Sequence, residues 1–240
     1  NVNREYELMR HLFVPDGVID DYHEAREQIY SFLGSGIKLD GFQAMSGAKG
    51  MGQYQFPKGV YYGGETDEPS AIFLKGIQHD LLERYGKVVH LDWHTALGPT
   101  NEVTMVISKR DGRTEEELKQ AYGLDNVKVY DPDEVLGDST NHFYYVRDTE
   151  YPDKGLVSAL FEFGTFGTST KASIREFLTI ILENRLYFEG TKDPEARNGI
   201  QNEFMAMFYP DDPSWREAVL REGAKAIEGY LKGESLWRDT

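Results

Sequence analysis

Two apolar runs constrain this chain more than any other feature. The first is Val88-Val89-His90-Leu91-Asp92-Trp93-His94-Thr95-Ala96-Leu97-Gly98-Pro99, and the second is Leu156-Val157-Ser158-Ala159-Leu160-Phe161-Glu162-Phe163-Gly164-Thr165. Both are rich in β-branched or aromatic residues and both stop at glycine, so both read as buried strands that end abruptly. Helical patterns alternate with them. Pro69-Ser70 opens one helix that closes at Gly86, and others are expected over 18–33, 114–122, from Ser169-Thr170 onward, and over about 194–208 and 213–232. Val103–Ile107 and Val127–Tyr130 read as further strands. Strands alternating with helices predict an α/β fold, a three-layer α/β/α arrangement on a mixed sheet. No repeat or linker interrupts the pattern, so a single domain is expected over 1–240.

Side chains on a strand alternate between faces. Val88, His90, Asp92 and His94 therefore share one face of the first strand, and Val89, Leu91 and Trp93 the other. Asp92 and His94 reach the C-terminal end of the strand, where open α/β sheets place their ligands. An imidazole there can ligate a metal and a carboxylate beside it can orient the ligand; taken alone, the pattern also fits a satisfied strand-end histidine. Glu162 lies between Phe161 and Phe163, where desolvation would raise a carboxyl toward the range of a general base. The other reading is a rim carboxylate in an ion pair.

Composition narrows the function. The 240 residues carry a formal charge of −15, which argues against nucleic acid or an anionic membrane as the main partner. There is no cysteine, which excludes disulfides and thiolate metal sites. No apolar run approaches the roughly 18–20 residues of a membrane span. No signal peptide is visible, so the compartment stays open with the cytoplasm favoured. Residues 34–64 are dense in glycine and read as a long loop bordering a site, with Gln53 and Tyr62 as rim contacts, or else as a structural hairpin. His79 reads as an ordinary surface or packing histidine. The segment 131–155 reads as polar and irregular.

The string Leu91-Asp92-Trp93-His94-Thr95-Ala96-Leu97-Gly98-Pro99, the later Glu162-Phe163-Gly164-Thr165, and Asn3-Arg4 near the start together resemble the zinc carboxypeptidase superfamily. The likeness is to its aspartoacylase/succinylglutamate-desuccinylase-like branch, and it runs in order along nearly the whole chain. It implies Zn2+ as cofactor, His94 as a zinc ligand, and Glu162 as the general base. By the same resemblance Asn3 and Arg4 grip a substrate carboxylate, which suits the two-pronged guanidinium of Arg4. Family members also carry a substrate-binding or oxyanion-stabilising tyrosine or arginine ahead of the base strand, which makes Tyr144, Tyr145 and Arg147 candidates. The implied fold is zinc-carboxypeptidase-like.

One departure stands beside these matches. The first two zinc ligands of that family are a His and a Glu three residues apart, upstream of the Asn-Arg pair. Only two residues precede Asn3 here, Asn1 among them, and no His-x-x-Glu occurs in the chain. The expectation is therefore the C-terminal portion of a longer enzyme. Its expected activity is that of a metallocarboxypeptidase-like hydrolase, cleaving an amide bond next to a free carboxylate in a small molecule or peptide. The alternative is a non-catalytic binding domain that keeps the fold with an incomplete zinc site. Neither a Gly-x-Ser-x-Gly elbow nor a cysteine nucleophile is present, which disfavours a metal-independent hydrolase.

Overall fold

The structure is a computed structural model that describes residues 3–33 and 39–237. The chain divides into two compact units. A helical unit comprises Asn1–Thr66 and Thr168–Asp211; a sheet unit comprises Asp67–Gly167 and Asp212–Thr240. The chain passes between them three times, so no single linker marks the division.

The sheet unit contains α4 (Pro69–Arg84), β1 (Lys87–Ala96), β2 (Val103–Ser108), α5 (Glu115–Tyr122), β3 (Val127–Tyr130), α6 (Ser139–Glu150), β4 (Gly155–Gly164) and α9 (Pro213–Gly233). The strand order is β1-β4-β2-β3. β4 runs parallel to β1 and antiparallel to β2, and β2 runs parallel to β3, which makes the sheet mixed. β4 is interior and covered on both faces, which is why its sequence is almost continuously apolar.

Helices cover both faces of this sheet. On the His90 face, the Phe143 ring of α6 meets His90 at 5.7 Å, and Ser108 of β2 donates to Asn141 at 2.9 Å. α4 is tied to α6, with Gln78 donating to the Ser139 carbonyl at 2.9 Å and lying 2.7 Å from His142 Nδ1. On the opposite face, Tyr230 of α9 meets Phe161 edge-on at 5.4 Å and Tyr122 of α5 at 4.9 Å. The sheet unit is thus a three-layer α/β/α stack around a core that includes Met105, Ile107, Leu118 and Phe161.

The helical unit is built from α1 (Arg4–Phe13), α2 (Tyr22–Ser31), α3 (Leu39–Met51), α7 (Thr170–Glu189) and α8 (Pro194–Phe208). Its own core gathers Tyr6, Phe13, Ile19, Met45, Ile181 and Leu186. Residues 34–38, which begin with the Gly34 that follows the helix expected over 18–33, lie outside the described residues.

Two stretches expected to be irregular are helical. α3 runs through the glycine-dense segment because glycine serves packing there. A Cβ on Gly47 would stand 3.2 Å from Glu5 Cγ, so the missing side chain lets α1 approach. The segment 131–155 contains α6, started by Asp138, whose carboxylate accepts from Asn141 N at 2.6 Å. Among the described residues no helix is long and apolar enough to cross a membrane.

Two predictions follow from this packing. Gly164→Ala places a Cβ 2.1 Å from the Pro99 carbonyl oxygen, whereas Gly76 sits in mid-α4 with nothing within 4 Å. Urea denaturation should show Gly164→Ala losing about 3 kcal/mol or more. In the same assay Gly76→Ala should gain about 0.5–1 kcal/mol. Equal effects would contradict the close approach at Gly164. The second prediction concerns pH. Burial holds the His90 pKa below its ordinary value, with Asp92 and Asp138 opposing. Burial also lowers that of His142, with Lys75 and His79 adding to it. As pH falls from about 6.5, the unfolded chain therefore binds protons that the folded chain refuses, and stability drops. Chemical denaturation between pH 7 and pH 5 should show this fall, and it should be shallower in His90→Gln. An unchanged slope would remove His90 as the cause.

Candidate active site

The site is a consequence of strand register. β1 and β4 pair in parallel with His90 opposite Ser158 and His94 opposite Glu162. β2 pairs antiparallel to β4 with Thr104 opposite Glu162. Opposed residues point to the same face, so His94, Glu162 and Thr104 form a row across three strands at the C-terminal ends of β1 and β4. Asp92 lies one pleat back along the same face as His94.

The His94 ring sits between two carboxylates. Its Nε2 is 3.2 Å from Asp92 Oδ1, and its Nδ1 is 3.9 Å from Glu162 Oε1. The second distance is too long for a direct hydrogen bond. With the Nε2 proton directed at Asp92, Nδ1 carries the lone pair and faces Glu162. Asp92 is itself fixed, since the Ser139 hydroxyl donates to its Oδ2 at 3.2 Å. That hydroxyl belongs to the first turn of α6, so the positive end of a helix dipole also meets this carboxylate. Glu162 Oε2 accepts from the backbone N–H of Leu97 at 3.4 Å. Exposure grades across the row: 43% for the His94 side chain, 29% for Asp92 and 12% for Glu162. The most buried carboxylate thus faces a half-exposed imidazole, open to a reactant from one side.

The opposite face of β1 holds the strand in place. Trp93 lies 5.1 Å from Phe161 and stacks on Phe163 at 5.7 Å. Beyond β1 the chain turns sharply over Gly164. Ala96 has a φ of 153° and Gly98 a φ of 104°. A non-glycine residue in this region stores strain, which a surrounding hydrogen-bond frame must hold. The frame is present. Thr165 donates through both its N–H (3.2 Å) and its hydroxyl (3.1 Å) to the Ala96 carbonyl, and Trp215 Nε1 donates to the Gly164 carbonyl at 2.9 Å.

A zinc ion would find a partial donor set here. His94 Nδ1 is a suitable ligand, with its other nitrogen held by a carboxylate as metal-bound imidazoles usually are. Asp92 and Glu162, however, face different nitrogens of one ring, so all three groups cannot converge on one ion. Among the described residues no group of three or more His, Asp or Glu side chains is arranged to hold a metal. A catalytic zinc needs about three protein ligands, so these residues supply one ligand and its support.

The hydrogen-bonded chain Ser139–Asp92–His94 is not a nucleophile triad. The carboxylate sits between hydroxyl and imidazole, so the histidine has no hydroxyl to deprotonate.

The other expected site residues are placed differently. Asn3, in the helical unit, caps α1. Its Oδ1 accepts from Tyr6 N at 3.1 Å, and its amide donates to the carbonyls of Ala48 at 3.3 Å and Gly52 at 2.8 Å. That carboxamide is engaged in the fold, capping the helix and tying it to α3 and the turn after it. Arg4 follows it, exposed at the first residue of α1, where the helix dipole does not favour a cation. Tyr144 is fully buried: its hydroxyl donates to Asp111 at 3.0 Å and accepts from Ser158 N at 2.9 Å. It belongs to the core of the sheet unit. α6 starts beside Asp92 and runs back toward the other end of the sheet. Tyr145 and Arg147 lie six and eight residues beyond Ser139, about 9–12 Å along the helix axis. Arg147 pairs with Asp148 at 2.6 Å, and Arg110 lies over the Tyr145 ring at 6.0 Å. Neither residue reaches the row at the strand ends. Gln53 is buried, its carboxamide oxygen accepting from the N–H groups of Gln55 and Phe56 at 2.8 Å each, so it shapes a turn. Its backbone bridges to Tyr62. His79 lies 3.5 Å from Glu150, the last residue of α6.

Ser139, the Leu97 N–H and Thr104 belong to the site without having been singled out from sequence. The first had a signal, because Asp138-Ser139-Thr140 is a helix-start pattern beside an otherwise polar stretch.

Comparison with known proteins gives a family without an activity. No curated protein and no solved structure matches the chain. A family model described as "Protein of unknown function (DUF2817)" matches residues 1–222, so the chain belongs to the DUF2817 family.

Proposed function

We propose that this protein is a zinc-dependent amide hydrolase of the carboxypeptidase or N-acyl-amino-acid deacylase type. The observation that carries the reading is the His94 ring held between Asp92 and Glu162 at the ends of two parallel strands. It is supported by the resemblance of the Asp92–Pro99 and Glu162–Thr165 strings to zinc carboxypeptidases.

Zinc, when bound, supplies Lewis acidity and brings the pKa of its water toward about 7. The chain itself does the following. Asp92, steadied by Ser139, accepts the Nε2 proton of His94 and leaves Nδ1 free to act as a ligand. The remaining metal donors come from outside the described residues. Glu162, oriented by the Leu97 N–H, takes a proton from the attacking water and returns it to the leaving amine. The substrate of this reading is a small molecule or a peptide with a free carboxylate next to the scissile amide.

One observation favours a second reading. The described residues gather one imidazole and its supporting carboxylates but not three convergent ligands. A binding domain that keeps the fold without working chemistry has the same appearance.

The test is hydrolysis of N-acyl amino acids and of peptides with free or amidated C-termini, with zinc supplied. Glu162→Gln should lower kcat/KM by about 100-fold or more while zinc content stays unchanged. Asp92→Asn should cost about 10–100-fold in zinc affinity or activity. Full activity in Glu162→Gln would refute the general-base role.

A further inference from the structure

A second place in the molecule has the chemistry of a ligand site. In the helical unit a groove of about 330 Å³ is walled by Val60, Tyr61, Ile180, Tyr187 and Phe204, with Glu183 among them. The Oε2 oxygen of Glu183 is buried and has no hydrogen-bond partner. Other carboxylates on the same helix are paired: Glu176 with Lys49, and Glu189 with Lys58 at 2.9 Å. A carboxylate oxygen shielded from water without a donor is costly to keep. Burial accordingly raises the Glu183 pKa, with Arg197 opposing. The aromatic walls are unusual as well. Tyr187 stands 79% exposed at the groove, and Tyr61 is held in the left-handed region at φ 59°, a conformation a bulky side chain seldom adopts.

We infer that this groove binds an organic cation, a primary ammonium on an apolar or aromatic body. The ammonium group pairs with the Glu183 carboxylate, and the apolar body lies against Tyr187 and Phe204 in the groove wall. The alternatives fit less well. An anion meets a carboxylate that has no hydrogen-bonded cation, and a neutral apolar ligand leaves Oε2 without a donor. A divalent metal needs several oxygen ligands and meets mostly apolar walls. The Asn184 amide is already engaged, donating to the Lys58 carbonyl at 2.9 Å. The cation can come from a free amine or from a lysine side chain of a peptide, since both present the same group.

The experiment titrates the full chain, followed by methyl NMR at Val60 and Ile180, with three probes. These are 2-phenylethylammonium, its neutral isostere 2-phenylethanol, and N-acetyl-lysine methylamide. The inference predicts that an ammonium probe shifts both methyl groups and binds at least about tenfold more tightly than 2-phenylethanol. Whether the aryl amine or the lysine derivative binds better assigns the source, and either result supports the site. Glu183→Gln should remove the preference for charge while leaving 2-phenylethanol binding unchanged. Tyr187→Ala, at an exposed position that folding does not need, should weaken the ammonium probe several-fold. Equal affinity for charged and neutral probes, unchanged ammonium binding in Glu183→Gln, or no binding by either ammonium probe would overturn the inference.

Discussion

The parallel pairing of β1 with β4 is the contact on which the candidate site depends. Side chains on neighbouring strands meet only in the register their backbones adopt, and a one-residue slip sends each to the opposite face. In the observed register His94 faces Glu162 and His90 faces Ser158. The apolar faces enforce it, because Trp93 lies on Phe161 and Phe163 only when this alignment holds. Packing on one side of the sheet thus positions chemistry on the other.

The turn that follows β1 shows what the arrangement costs. The chain crosses so closely over Gly164 that no side chain fits there, and Ala96 takes a strained backbone conformation. Thr165 and Trp215 hold the turn through side-chain hydrogen bonds. The same turn delivers the Leu97 N–H to Glu162. Strain kept beside a buried carboxylate, and stabilised from several directions, is characteristic of sites where geometry matters more than local stability.

Much of this was legible in the sequence and some was not. The strands and their faces were, because a period of two leaves one assignment for His90, Asp92 and His94. The interior position of β4 was legible in its unbroken apolar run. The helices with clear start residues were readable as well, as at Pro69, Ser169 and Pro213. α6 was not, because its buried positions include Thr140 and Tyr144 and its outer face is polar, so no apolar period stands out. Reading it as irregular hid Ser139, whose hydroxyl steadies Asp92 from the first turn of that helix. α3 was missed because its glycines serve helix packing, which a sequence cannot distinguish from turn formation. The division into two units was invisible because the chain passes directly from β4 toward α7 without a change in composition.

The account stands on His94 being a metal ligand rather than a strand-end histidine with a salt-bridged neighbour. The most direct measurement is zinc per chain in natively produced protein, by elemental mass spectrometry, for the unaltered sequence and for His94→Ala. The account predicts about one zinc per chain, lost in His94→Ala with the fold intact by circular dichroism. Absence of zinc from the unaltered protein would contradict it and leave the binding-domain reading, and zinc content unmoved by His94→Ala would contradict it by placing the metal away from His94.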